Sequence, residues 1–359
     1  MNAGHNPWVL HVDLDQFIAA VEVLRHPELA GKPVIVGGRG DPTERAVVST
    51  ASYEARAFGV GSGMPLRIAA RKVPDAVILP VDAETYTEAS HEVMATLREQ
   101  PGATVQVLGW DEAFVGIDAE NPETYARDVQ RAILERTRLH CSVGIGDTLV
   151  RAKVATGFGK PRGVFRLTAT NWMDVMGDRP TKDLWGVGSK VSRRLTSHGI
   201  DTVAELAAAD AEVLAAEFGP RMGPWYGQLA RGEGSRVVDD TPWVARGHSR
   251  ETTYQKDLAT SAEIEAAVRE LVGRVLEDVA AEARPVIGLT LKVRYVPFIT
   301  KIFTKKIPET ADPDVVLARA LELVARIEED RPIRLLGFRA EMSMPEEARG
   351  GHTPTRSGW

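Results

Sequence analysis

The sequence predicts a multidomain α+β protein, and three observations carry that expectation. Its 359 residues are more than one hydrophobic core serves. Strand-like and helix-like segments alternate up to about residue 166, after which the pattern turns helical with glycine punctuation. Beyond the polar stretch from Gly232 to Pro242, a strand–helix–strand–strand–helix–strand order begins afresh, enough for a second α+β unit.

Taken in order, Trp8-Val9-Leu10-His11-Val12 is an apolar strand over 8–13, and Phe17, Val21 and Leu24 give 15–25 helical spacing. Pro33–Gly38 and Ala46–Thr50 read as strands, and Tyr53–Phe58 as a short helix stopped at Gly59. A helix is expected over 84–99, a β-hairpin over 104–118, a helix over 122–138, a strand over Leu139–Ile145 and a helix over 147–158. Gly186, Gly188, Gly199, Gly219 and Gly223 divide the helical region. In the last unit the expected elements are a strand from 244, a helix at 262–282, strands at 286–296 and 300–307, a helix at 313–329 and a strand at 334–342. The tail beyond Pro345, rich in Gly, Pro, Thr and Arg, reads as disordered.

Composition narrows the class. The single cysteine, Cys141, excludes an internal disulfide and a multi-cysteine zinc site and suits a reducing cytosol. The first apolar run is too short for a membrane span and is followed by Asp13 and Asp15. A net charge of −6 argues weakly against nucleic acid, but the distribution argues the other way. From Arg284 to Lys306 the charged residues are Arg284, Lys292, Arg294, Lys301, Lys305 and Lys306, without an acid. Asp183 is the only acid beside Lys182, Lys190, Arg193 and Arg194.

Two acidic stretches carry the most chemistry. Asp13-Leu14-Asp15 closes the first strand, and Trp110-Asp111-Glu112 follows Val105-Gln106-Val107-Leu108. Carboxylates at the ends of buried strands are costly unless paired or metal-bound. If the strands are neighbours, Asp13, Asp111 and Glu112 can converge to hold two Mg²⁺ for phosphoryl transfer. Taken singly, Asp13 could equally cap the next helix and Asp111-Glu112 form a surface turn. Adjacent strand residues point to opposite faces, so a shared site requires a bend at Asp111-Glu112.

Three further segments suit phosphate. Tyr53 and Arg56 share a helical face behind the hydroxyls of Ser49, Thr50 and Ser52, which makes an anion clamp or an ordinary capped helix. Gly157-Phe158-Gly159-Lys160-Pro161-Arg162-Gly163 offers a lysine among glycines, without P-loop spacing, and is equally a plain basic loop. Trp185-Gly186-Val187-Gly188-Ser189-Lys190 looks like a helix-hairpin-helix that grips the DNA backbone without reading sequence.

Together these motifs stand in a known order. The chain resembles the Y-family (translesion) DNA polymerases, in the DinB or polymerase IV branch, over roughly residues 8–343. The resemblance rests on Val12–Phe17, Val47–Thr50 with Tyr53–Arg56, Trp110–Ala113, Ser142–Gly146 with Ala152-Lys153 and Lys160–Gly163, and Trp185–Gly188. It implies a right-hand polymerase: a palm of mixed or antiparallel sheet with helices (1–17 and 83–166), small fingers (18–82), a helical thumb (167–235), a linker (236–243) and an α+β little finger (244–343). Asp13 and Asp111 would bridge two Mg²⁺ (Mn²⁺ able to substitute), with Glu112 on the catalytic ion and the Leu14 carbonyl on the other. Tyr53, Arg56, Lys160 and Thr50 would hold the triphosphate. Gly186, Gly188, Lys190, Arg294, Lys301, Lys305 and Lys306 would hold DNA. The implied partners are primer–template DNA and a dNTP, in a cytoplasmic monomer of low fidelity, in keeping with small residues such as Ser49 and Gly63.

The chain departs from the family at two places. Gly109 stands where the family usually has Ser. Ile18 stands where it carries an aromatic steric gate against a ribose 2′-OH, so an rNTP should enter alongside a dNTP. No Gln-x-x-Leu-x-Phe-like peptide closes the chain, which leaves sliding-clamp association open. A palm-type nucleotide cyclase would share the acids but not the second half of the chain. A catalytically inactive DNA-binding scaffold would not need all three acids with Tyr53, Arg56 and Lys160.

Overall fold

In the computed structural model, residues 7–328 and 331–345 are described. The chain begins with β1 (Trp8–Leu14) and α1 (Phe17–Arg25), then β2 (Val34–Val36), β3 (Thr50–Ala51), α2 (Tyr53–Arg56), α3 (Leu66–Lys72) and β4 (Val77–Leu79). Next come α4 (Ala83–Arg98), β5 (Thr104–Val107), β6 (Glu112–Ile117), α5 (Pro122–Thr137), β7 (Cys141–Gly146), α6 (Leu149–Gly159) and β8 (Val164–Leu167). Five helices follow: α7 (Trp172–Met176), α8 (Ser189–Thr196), α9 (Val203–Ala208), α10 (Ala211–Phe218) and α11 (Met222–Ala230). The last unit is β9 (Gly247–Leu258), α12 (Ser261–Glu282), β10 (Val286–Tyr295), β11 (Ile299–Thr310), α13 (Pro313–Val324) and β12 (Ile333–Met342).

A five-stranded sheet runs in the order β5-β6-β1-β7-β8. Its central strand β1 is apolar apart from His11 and Asp13, because both faces are covered. Leu10, Val12 and Leu14 enter the core beneath, while Val9 joins a separate cluster with Phe114, Ala152 and Val238. The sequence starts its helices where physics expects: Asn121 caps α5 ahead of Pro122, Thr148 caps α6, and capping boxes open α9 and α12.

Gly144 and Gly146 have a specific steric reason. A Cβ on Gly144 would lie 2.1 Å from the Ala152 carbonyl, and one on Gly146 would lie 2.3 Å from the Ala152 amide. The missing side chains let α6 rest directly on β7, which fixes the helix that carries Lys153 and leads to Lys160.

A small three-stranded sheet, β3-β2-β4, carries α2 and α3. The expected strand over Ala46–Thr50 is shorter than the sequence implies. Only Thr50–Ala51 pairs with β2, while Val48 exchanges backbone hydrogen bonds with Gly63 and Met64 instead. The terminal sheet is ordered β11-β10-β12-β9, with α12 and α13 covering one face. Arg45, from the segment before β3, joins it to the small sheet. Its guanidinium meets Asp257 and the Tyr254 carbonyl, and its amide donates to Gln255 Oε1 at 2.7 Å. The helix expected to reach 329 ends at Val324. The tail expected to be disordered lies outside the described residues. Among the described residues no helix is long and apolar enough to cross a membrane.

Candidate active site

Antiparallel pairing sets Asp13 directly opposite Glu112 on one side of β1 and opposite Ser142 on the other. The Leu14 amide donates to the Asp111 carbonyl at 2.8 Å, so the β5–β6 turn closes against the end of β1. The bend that the acids require is present. The amides of Leu108 and Gly109 both reach the Glu112 carbonyl, leaving Asp111 in the turn and Glu112 as the first residue of β6. A Cβ at Gly109 would lie 3.7 Å from Asp111 Oδ1, an ordinary contact, so crowding does not demand the glycine.

The structure brings Asp13 and Glu112 together with a residue that the acidic motifs did not single out. Donor atoms of His11, Asp13 and Glu112 all lie within 4.8 Å of one another. Asp111 lies outside that tight group but lines the same cleft as Asp13. His11 is buried, its Nδ1 2.7 Å from Thr156 Oγ1 and its Nε2 3.2 Å from Glu112 Oε2. Lys153 pairs with Glu112 and stands 3.1 Å from His11 Nε2. Lys160 pairs with Asp13 at 2.5 Å.

Charge follows from these contacts. Burial holds His11 below its usual range, so the imidazole is neutral. Burial opposes ionisation of Glu112, but hydrogen bonds from His11 and Lys153 overcome it and hold the carboxyl at about 2. Asp13 is raised by burial, against the pull of Lys160. Asp111 is open to solvent at the cleft mouth, yet the surrounding walls, and then the Glu112 charge, raise it. Three crowded acids face two lysines, a balance that favours divalent cations with hard oxygen donors.

The cleft beside these acids measures about 280 Å³. Besides Asp13 and Asp111 its lining includes Leu14, Ile18, Thr50, Arg56 and Lys160, from elements far apart in the chain. Arg56 Nε is fixed on the Ala51 carbonyl at 2.8 Å, and its guanidinium lies 5.2 Å from the Tyr53 ring centre. Tyr53 is turned to Asp15, its hydroxyl donating to Oδ1 at 2.7 Å. Ile18 is half-buried, packed against the core under β1 with its edge in the cleft.

The DNA-contact expectations divide. Gly186, at φ +90°, and Gly188 open α8, and a Cβ on Gly186 would meet the Trp225 ring at 2.8 Å. Lys190 is exposed on the first turn of α8. Arg294 shares a face of its sheet with Lys292, and alternation puts Lys306 on the same, helix-free side. Lys301 and Lys305 are a correction. Their cross-strand partners Val293 and Leu289 are core residues, so both point to the helix-covered face, where they pair with Glu328 and Glu322.

Sequence reasoning also missed the roles of Asp15, His11 and Lys153. His11 lies two residues before Asp13, hence on the same strand face, and Lys153 lies three before Thr156 on α6. Those periodicities were the available signal.

Comparison with known proteins agrees with this architecture. The impB/mucB/samB family model matches residues 12–157 and its C-terminal domain model residues 245–352. A model described as the DNA polymerase-iota thumb domain matches residues 182–233. DNA polymerase IV 2 of Mycobacterium tuberculosis is 49% identical, over 94% of this chain and 98% of the relative. DNA polymerase IV of Methanoculleus marisnigri is 37% identical, over 93% and 94%. Among solved structures, a Dbh–Dpo4 chimera of Y-family DNA polymerases superposes with a TM-score of 0.83 at 24% identity, covering 93% of this chain and 98% of its own. DinB from Sulfolobus solfataricus gives 0.62 with the same identity and coverage.

Proposed function

The chain belongs to the Y-family DNA polymerases, in the DNA polymerase IV (DinB) family, and on that premise we propose how its residues act. It is a DNA-directed DNA polymerase of the translesion type. It extends a primer 3′-OH by low-fidelity templated addition, as a cytoplasmic monomer, and accepts an rNTP alongside a dNTP. The observation that carries this reading is that Asp13 and Asp111 line one cleft with Lys160 and Arg56, while Glu112 stands directly opposite Asp13 in the sheet.

Asp13, Asp111, Glu112 and the Leu14 carbonyl would hold two Mg²⁺, a donor set of oxygens that fits this ion. When bound, Mg²⁺ supplies neutralisation of the phosphate charge and activation of the 3′-OH. The chain's own residues do the positioning. Arg56, fixed through Nε, presents its outer N–H groups to phosphate oxygens. Thr50 and Tyr53 flank it, and Lys160 adds a point charge from the opposite wall. Attack on the α-phosphorus expels pyrophosphate, and these cations stabilise the charge that develops on it. His11 stays neutral and steadies Glu112.

A second cavity of about 560 Å³ supports a path for single-stranded template between the small sheet and the terminal sheet. Arg45, Arg67, Arg294 and Arg334 line it, with the exposed ring of Phe298. The test is extension of a labelled primer on a DNA template with Mg²⁺ and one nucleotide at a time. Addition of the complementary nucleotide is expected, and absence of templated addition would end the reading.

Backbone contacts make a second measurement informative. Primer–template affinity should fall with salt, with a slope of log K on log salt of about −4 to −6 for some five or six phosphates. Arg294→Ala should flatten that slope by about 1, whereas Lys301→Ala, on the helix-covered face, should leave it unchanged. Fluorescence anisotropy across a salt series reads both.

The cyclase alternative does not account for the matched thumb and terminal domains. The inactive-scaffold alternative does not account for the intact acids.

A further inference from the structure

Asp15 is only 4% exposed, and no lysine or arginine side chain pairs with it among the described residues. Hydrogen-bond donors from three segments meet its carboxylate instead. Oδ1 accepts from the Tyr53 hydroxyl at 2.7 Å and from Ser142 Oγ at 2.9 Å. Oδ2 accepts from the Arg162 amide at 2.9 Å, two residues beyond Lys160. The neighbouring Gln16 takes the other end of Tyr53, its Oε1 accepting the Tyr53 amide at 2.5 Å. Gln16 does so with φ +47°, a left-handed backbone that a non-glycine side chain adopts at a cost. Phe17 and Ile18 follow directly.

We propose that Asp15 and Gln16 form a positioning bracket, which fixes Tyr53 relative to the Lys160 loop and to Ile18. The bracket thereby sets nucleotide affinity and sugar choice, Asp15 from behind the cleft and Gln16 from its lining. This deepens the polymerase reading and rests on it. One carboxylate holds both arms of the triphosphate clamp, α2 through Tyr53 and the loop after α6 through Arg162. Gln16 ties the same tyrosine to the turn that presents Ile18. A change in the bracket therefore moves the phosphate grip and the sugar contact together. Asparagine at position 15 keeps the shape but turns an N–H group toward one of the donors, which leaves that donor unmatched.

The test compares the full chain with Asp15→Asn, Gln16→Ala, Tyr53→Phe and the Asp15→Asn/Tyr53→Phe double variant. Readouts are dNTP KM and kcat, the rNTP-to-dNTP ratio, primer–template affinity and thermal melting. Asp15→Asn should raise the dNTP KM about tenfold, with kcat and DNA affinity within about threefold of the parent. Tyr53→Phe should add almost nothing in that background, because both changes break one linkage. Gln16→Ala, which retains the buried carboxylate, should raise KM about threefold and shift the sugar ratio by a similar factor. Additive losses, or a fall in kcat with KM unchanged, would overturn the proposal. If Asp15→Asn does not fold, Gln16→Ala decides, and an unchanged KM and sugar ratio in it would overturn the proposal. A parent that extends no primer would end the polymerase reading itself, a result distinct from either of these.

Discussion

Asp111→Ala will reduce templated extension by about 10³-fold or more while leaving the melting temperature undiminished. The reason is local charge. Asp13, Asp111 and Glu112 together outweigh Lys153 and Lys160, and His11 contributes no charge. Without Asp111 the remaining two acids and two lysines cancel, and the attraction for divalent cations is lost. Stability moves the other way. Asp111 is raised above its ordinary carboxyl value, so the folded state holds its proton more tightly than the unfolded chain does. Its ionisation therefore works against folding, an opposition that grows as pH rises above the ordinary carboxyl value and is complete above the raised one. Solvent at the cleft mouth moderates the effect, so an unchanged or slightly higher melting point is expected. Primer extension and calorimetry on the same preparation check the pair. Extension that survives the substitution would remove Asp111 from the catalytic set.

Ile18→Phe will cut ribonucleotide incorporation by about 10²-fold, with deoxynucleotide kcat/KM held within about threefold. Ile18 roots its stem against the core under β1 and leaves only a short branched edge in the cleft. A phenyl ring from the same backbone extends farther toward the sugar and places a flat wall where a 2′-OH would sit. The hydroxyl then meets carbon rather than space, and a steric penalty of this kind falls on the ribose alone. Single-nucleotide insertion with matched rNTP and dNTP, on parent and variant, gives the ratio directly. A parent as selective as the variant would show that another residue does the excluding.

Much of the site was legible because its chemistry sits on strong local patterns. Apolar runs ending in acids place Asp13 and Asp111-Glu112 at strand ends, and the helical spacing of Tyr53 and Arg56 is local. The role of Asp15 was hidden because its partners, Ser142 and Arg162, lie 127 and 147 residues away. Lys301 and Lys305 misled because charge counting ignores register, and in a strand alternate residues face opposite sides. The segment before Thr50 reads as a strand by composition, but its bonding groups are taken by Gly63 and Met64, a choice made by tertiary contact.

The bare positions at Gly144 and Gly146 have a mechanical consequence. With backbone seated on backbone, the helix bearing Lys153 cannot slide or tilt without driving atoms into one another. The cleft is thus a vice with one jaw bolted to its bench. The heights of Lys153 and Lys160 over Glu112 and Asp13 are therefore set by main chain rather than by side-chain packing, and a side chain as small as alanine at either glycine would lift both cations off the acids at once.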